Sequence, residues 1–296
     1  MNEKNHLFSN HALKMLLIPL IAEQFLTSLM GTADSMMVSN VGSAAISAVS
    51  LVDSINILVI QAFAALSAGG TIVCSQYIGQ KNIKKATESA RQLLLAVASI
   101  SVLVMAICLS FRTPLLRLVF GKVDADVMAA CVTYIKISAY SYPFIAIYNA
   151  GAALYRSMTK TKTTMYISIW SNLINVVGNC IGVFVLNAGV AGVAVPSLIA
   201  RAFSAVVITW LCFNTKLTTY YTKKDIFVFD KAILKKVLNI AIPNGIENGI
   251  FQFVKVALSS VVALFGTYQI AANGVAQSIW SLAALMGAAL GPVYIT

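Results

Sequence analysis

Residues 15–38 read MLLIPLIAEQFLTSLMGTADSMMV, and the fold class turns on them. The run is interrupted by two ionisable side chains, Glu23 and Asp34, and by one proline, Pro19. A helix needs roughly 20 predominantly apolar residues to cross a hydrocarbon layer about 30 Å thick. This stretch has that length, and others follow it. Working outward, apolar runs of similar reach cover about 45–73, 91–111, 127–149, 164–186, 190–213, 237–262 and 267–294. Hydrophobic residues make up 59% of the chain and charged residues 10%, where a soluble domain carries about 25% charged. So apolar a surface cannot face water, so the expected partner is the lipid bilayer. The reading is an all-α, polytopic membrane protein.

Orientation follows from where the basic residues fall. Lys4 and Lys14 precede or open the first run, and Lys81, Lys84, Lys85 and Arg91 separate the second from the third. Arg156, Lys160 and Lys162 follow the fourth; Lys216, Lys223, Lys224, Lys231, Lys235 and Lys236 follow the sixth. The alternate gaps hold Arg112, Arg117 and Lys122, diluted by Asp124 and Asp126. Cytoplasmic loops carry the excess of Lys and Arg. The chain is therefore expected in the cell membrane, multi-pass, with its N-terminus cytoplasmic.

Displacing the chain against itself by 224 residues aligns Ile18-Pro19 with Ile242-Pro243, Glu23 with Glu247, Gly42 with Gly266 and Ser54-Ile55 with Ser278-Ile279. Six spans separate the two proline-bearing helices, so both start from the same side of the membrane. An even-numbered repeat makes two lobes related by an axis along the membrane normal. The expected domains are a six-helix N-terminal lobe, 1–224, and the first two helices of a repeated C-terminal lobe, 225–296. The chain thus reads as a fragment of a twelve-span plan.

Other classes fit poorly. The net charge of +11 sits in short clusters between apolar runs, the pattern of loops rather than of a nucleic-acid surface. Cys74, Cys108, Cys131, Cys180 and Cys212 have neither disulfide nor zinc spacing and read as packing residues. The two histidines, His6 and His11, precede the first span, which argues against a histidine metal site or a nucleophile–histidine pair. No enzyme and no metal is expected. No cleavable signal is evident ahead of the first run.

Several stretches carry a family likeness. They are Pro19 with Asp34-Ser35-Met36-Met37-Val38 and Gly42; Gln76-Tyr77-Ile78-Gly79-Gln80-Lys81-Asn82; and Leu154-Tyr155-Arg156-Ser157-Met158 with Thr161-Lys162-Thr163. Gly192-Val193-Ala194 through Arg201 follows in order. Together they resemble the multidrug and toxic compound extrusion (MATE) transporters along essentially the whole chain. Thr159 and Thr164 stand where that family usually has glycine and proline. The resemblance implies two six-helix lobes and export of amphipathic or cationic drugs in exchange for Na⁺ or H⁺. It implies no other cofactor, and the full-length protein is expected to be monomeric. Lipid-linked oligosaccharide flippases share the twin-lobe plan and are the rival reading, with a nonfunctional fragment as another.

An ionisable side chain inside a membrane helix costs at least about 2.5–3.5 kcal/mol at mid-depth and is functional by default. Asp34 is the leading candidate for ion or proton coupling, a role the resemblance also gives it; the plainer reading is a carboxylate reaching interfacial water. Asn172, Asn175 and Asn179 share one face of span five and can hydrogen-bond Asp34 or serve as interhelical glue. The family often has a second Asp at position 179. Asn149 and Ser197 match further polar positions of its N-lobe network. Asp53, Tyr140, Glu247, Gln252, Asn273 and Gln277 are candidates for a substrate cavity, Tyr134 and Tyr142 flanking it. Lys136 is expected to snorkel, and Arg201 to make an internal ion pair or bond backbone carbonyls. Glu247 and Lys255 lie about 12 Å apart in helical rise and are not expected to pair. Gly178 with Gly182, and Gly287 with Gly291, are small-residue packing pairs. The expected mechanism is that an ion at Asp34 rearranges its bonds to span five and bends span one in its Pro19-containing half.

Overall fold

The computed structural model describes residues 10–120, 124–222 and 229–263, with single helical positions at 283, 284, 287 and 290. The helices are α1 (Asn10–Ser39), α2 (Ser43–Gly79), α3 (Ile83–Ser110), α4 (Arg112–Phe120), α5 (Ala125–Ser157), α6 (Thr161–Cys180), α7 (Ala191–Cys212) and α8 (Lys231–Ala263). No strand occurs among the described residues. Lys14–Ser39, Ser43–Gly79, Ile83–Ser110, Thr161–Val185 and Ala191–Cys212 are long and apolar enough to cross a bilayer. α5 and α8 are long, at 33 residues each, but polar side chains are spread along them, among them Ser138, Ser141 and Asn149 in α5 and Asn244, Glu247 and Asn248 in α8. The expected eighth span, 267–294, lies almost wholly outside the described residues.

Local chemistry explains the joints. Asn82 caps α3 by accepting from the backbone N–H of Lys85 at 3.2 Å, satisfying an otherwise orphaned donor. The turn before it has Lys81 at φ 58. α5 runs on past the apolar stretch read from sequence, to Ser157, and turns through Thr159 at φ 60. There the amides of Thr159 and Lys160 close back on the carbonyls of Arg156 and Tyr155, both at 2.9 Å. Glycine favours such a left-handed turn, and here a threonine holds it. The short α4 is not foreshadowed by hydropathy; its Leu116 is fully buried in an apolar cluster, and the helix packs on α5 and α3.

α5 stands at the centre, packed on α2, α7 and α3. α1 joins the bundle mainly through α6, α6 packs on α7, and α8 lies against α2. Close approach rests on glycine where α6 meets α7. A Cβ on Gly182 would stand 2.2 Å from the Gly192 carbonyl oxygen, and one on Gly178 would stand 2.7 Å from the Pro196 side chain. Past Cys180 the helix widens into a π-helical turn, Ile181–Val185, beside that contact. The outer faces carry Leu103, Trp170, Phe184, Val206 and Trp210, all exposed, as expected of surface in contact with lipid. All five cysteines are free and four are buried.

Two apolar clusters fill the interior. One, near the lysine-rich loops, includes Phe63, Val97, Tyr142, Leu154 and Ile208. The other, at the far end, includes Val38, Val52, Leu116, Ile135 and Val193. They are called here the basic-end and far-end clusters.

Candidate functional site

Between those clusters the helices change character together. On α2, Asp53 and Asn56 fall between Val52 of the far-end cluster and Phe63 of the basic-end cluster. On α7, Ser197 and Arg201 fall between Ala194 and Ile208; on α5, Ser138 and Ser141 follow Ile135. Asp34 lies one turn before Val38 on α1. The result is a polar layer enclosed by two greasy ones, where hydrogen bonds are strengthened by low polarity and unpaired groups are costly.

Within it, Asn179 Nδ2 donates to Asp34 Oδ1 at 2.5 Å and to Asn175 Oδ1 at 3.2 Å. Asn175 Nδ2 in turn donates to Ser197 Oγ at 2.8 Å. Four of the residues singled out by sequence, Asp34, Asn175, Asn179 and Ser197, thus form one chain across α1, α6 and α7. The Asn179 Oδ1 atom is buried without a hydrogen-bond partner among the described residues. A carboxylate, two amide oxygens and a hydroxyl make a set of hard oxygen donors of the kind that suits a hard cation.

Asn172 and Asn149 are not joined to this chain. Asn172 Nδ2 returns to its own helix, donating to the Ser168 carbonyl at 2.8 Å. Asn149 is half-buried on α5.

Asp53 belongs to the same layer. Its Oδ1 accepts from Asn56 Nδ2 at 3.0 Å and Tyr134 OH at 3.2 Å. Tyr142 OH donates to Asn56 Oδ1 at 2.8 Å, and Asn56 Nδ2 reaches Ser138 Oγ at 3.4 Å. Arg201 bonds neither a backbone carbonyl nor a carboxylate among the described residues; its Nη1 donates to Ser141 Oγ at 2.7 Å. Asp53 and Arg201 both lie near enough to Asp34 to act on it through space. Tyr140, 44% exposed, points with Lys136 along the opposite, exposed stripe of α5. On α8, Glu247 is exposed and Gln252 half-buried. Lys255 lies over the Phe251 ring at 5.2 Å. Asn273 and Gln277 lie outside the described residues.

A second polar cluster, near the basic loops, went unread in the sequence. Glu23, 8% exposed, accepts from Arg156 Nη2 at 2.9 Å and Tyr148 OH at 3.1 Å through Oε1, and from Thr164 Oγ1 at 3.1 Å through Oε2. Glu23 obeys the same rule that singled out Asp34, an acid inside a span. The Pro-x-x-x-Glu pattern repeated at Pro243 and Glu247 was its further signal. Arg156 was read as a loop residue because the apolar stretch stops short of where α5 ends.

The comparisons with known proteins agree with this architecture. The family described as MatE matches residues 19–181, more than half of the chain. The chain therefore belongs to the MatE family of membrane transporters. It is 28% identical over 276 residues to an uncharacterized transporter, YisQ, of Bacillus subtilis, across 92% of this chain and 60% of that protein. It is 23% identical over 275 residues to a probable multidrug resistance protein, NorM, of Thermotoga maritima, across 90% of this chain and 58% of that protein. A transporter of the MOP superfamily from Pyrococcus furiosus superposes with a TM-score of 0.87 at 22% identity, over 96% of this chain and 62% of that one. At that identity the superposition speaks for the fold alone. The chain spans about three-fifths of the length of these relatives.

Proposed function

We propose that the chain forms the ion-coupling half of a secondary active transporter that exports amphipathic or cationic drugs in exchange for Na⁺ or H⁺. The orientation is the one expected from the basic loops, N-terminus cytoplasmic, with the C-terminal lobe beginning at α8. The observation that carries the reading is the chain Asp34–Asn179–Asn175–Ser197, which ties a membrane-interior carboxylate to two neighbouring helices through neutral groups only.

Asparagine presents an N–H donor at one end of its amide and an oxygen acceptor at the other. An ionised Asp34 demands the donor end of Asn179. A proton on Asp34, or a Na⁺ beside it, calls for an oxygen instead. Either ion therefore favours turning the Asn179 amide over, and Asn175 and Ser197 must adjust in sequence. The spacing of α1, α6 and α7 around the layer changes with them. Alternating access through lobe motion about a midplane site is the general pattern for such transporters. Multidrug resistance proteins among the relatives support a drug substrate.

The experiment is uptake into vesicles holding the chain together with its remaining lobe, under imposed Na⁺ or pH gradients. The parental protein is expected to move a fluorescent organic cation against its gradient. Asp34→Asn is expected to insert normally and lose ion dependence. Drug export by Asp34→Asn at the parental rate would end the coupling assignment. Movement of lipid-linked oligosaccharide with no drug export would replace the exporter by a flippase.

A further inference from the structure

We infer that Glu23 is a fixed anchor for α1, a positioning residue that holds the helix to α5 and α6 near the basic loops and confines its movement to the segment beyond Thr27. The inference rests on the reading that an ion at Asp34 moves α1, and deepens it by saying which part of α1 moves.

Both Glu23 oxygens are engaged. Arg156 and Tyr148 reach it from α5 and Thr164 reaches it from α6. One turn earlier on α6, Thr161 Oγ1 donates to the Leu16 carbonyl of α1 at 3.3 Å. These ties lie on either side of Pro19. Proline removes a backbone donor and weakens its own turn of helix, so sequence alone places the bend there. The geometry splints that turn: Leu16 before it and Glu23 after it are both fastened to α6. Thr164 matters in particular, because its hydroxyl ties Glu23 directly to α6.

Beyond Thr27 the surroundings differ. Leu29 is about half exposed, and a Cβ on Gly31 would meet no atom within 4 Å. A tie across to α6 there is the Asp34–Asn179 hydrogen bond, the one an incoming ion disturbs. An anchor near one end and a releasable tie near the other make α1 a lever with its fulcrum at Glu23.

Hydrogen–deuterium exchange on the purified chain in lipid nanodiscs tests this, with and without Na⁺ and at low and high pH. In the parental chain the ion-dependent change is expected in peptides covering 28–39 and absent from 14–27. Glu23→Gln is expected to raise exchange in 14–27 by about tenfold and to let the ion response spread into it, which a merely structural contact would not do. Thr164→Val and Tyr148→Phe each remove one donor and keep Arg156, so they serve if Glu23→Gln folds poorly; each is expected to give a smaller rise in the same peptides. Glu23→Asp with its shorter reach is expected to retain most of the protection.

An ion response already running through 14–27 in the parental chain would overturn the anchor. Unchanged exchange there in Glu23→Gln, or in both single-donor variants, would overturn it too. A parental chain with no ion response at 28–39 breaks the coupling reading instead; the effect of Glu23→Gln on 14–27 still decides whether the anchor stands.

Discussion

Helix α1 carries two carboxylates, Glu23 and Asp34, eleven residues apart and both bonded to α6. They differ in how a cation reaches them: Glu23 is paired with one directly, whereas Asp34 feels Arg201 only through space. Glu23 has a guanidinium, a phenol and a hydroxyl on its two oxygens, so its charge is answered from within the protein. Asp34 is met directly by an amide, and its direct bond to α6 brings no charge. A carboxylate with its own cation has nothing to gain from another. One held by neutral donors still does, and is the place where a transported ion changes the balance. Three helical turns, about 16 Å of rise, separate a structural acid from a responsive one.

The widest gap between the two sites is expected on removing the cation. Arg156→Met leaves Glu23 buried without its counter-charge and should cost about 3–5 kcal/mol, read as a large fall in thermal unfolding temperature in detergent. A loss under about 1 kcal/mol would put the inner pair on a level with an exposed one and erase the contrast. Next comes Gly182→Ala, which forces a methyl against the Gly192 carbonyl beside the far end of the Asn179 helix. Overpacking of this kind costs about 1–3 kcal/mol, and the variant should also lose ion-dependent exchange at 28–39. Asn175→Ala, which removes the donor to Ser197 and the acceptor for Asn179, is expected to cost about 1 kcal/mol while leaving the basic-end cluster untouched. Asp34→Asn comes last in stability. Its amide oxygen still accepts from Asn179, so the unfolding temperature should move by the equivalent of less than about 1 kcal/mol. A fall as large as that for Arg156→Met would show that Asp34, too, is a structural charge.

The placing of the first seven long helices was legible in the sequence because lipid imposes span length on every crossing. Asp34, Asn175, Asn179 and Ser197 were legible for a related reason: polar groups stand out in apolar runs, and the two asparagines, four residues apart, share a helical face. Their order along a single hydrogen-bonded chain was not, since it depends on how α1, α6 and α7 are juxtaposed. Glu23 was passed over because its partner sits more than a hundred positions away, in a part of α5 too polar to be counted as span. Nothing in the sequence joins Asp53 to Asp34; the layer that joins them is formed only when the helices pack, with the two apolar clusters on either side. Tyr140 and Tyr142 are two residues apart, and a helix sends such neighbours to different sides. Spacing alone did not say which one faced inward.

The turn at Thr159 has a practical corollary. A β-branched residue with φ near +60 is a true backbone outlier, and holding one there stores of order 1–3 kcal/mol. It sits between Arg156 and Thr161, both enlisted in fastening α1, so the tension is borne by the same corner that keeps the first helix docked. Anyone seeking a hardier preparation for crystals or cryo-microscopy has an obvious first substitution in Thr159→Gly, which releases that tension without touching a single side chain that holds the corner together.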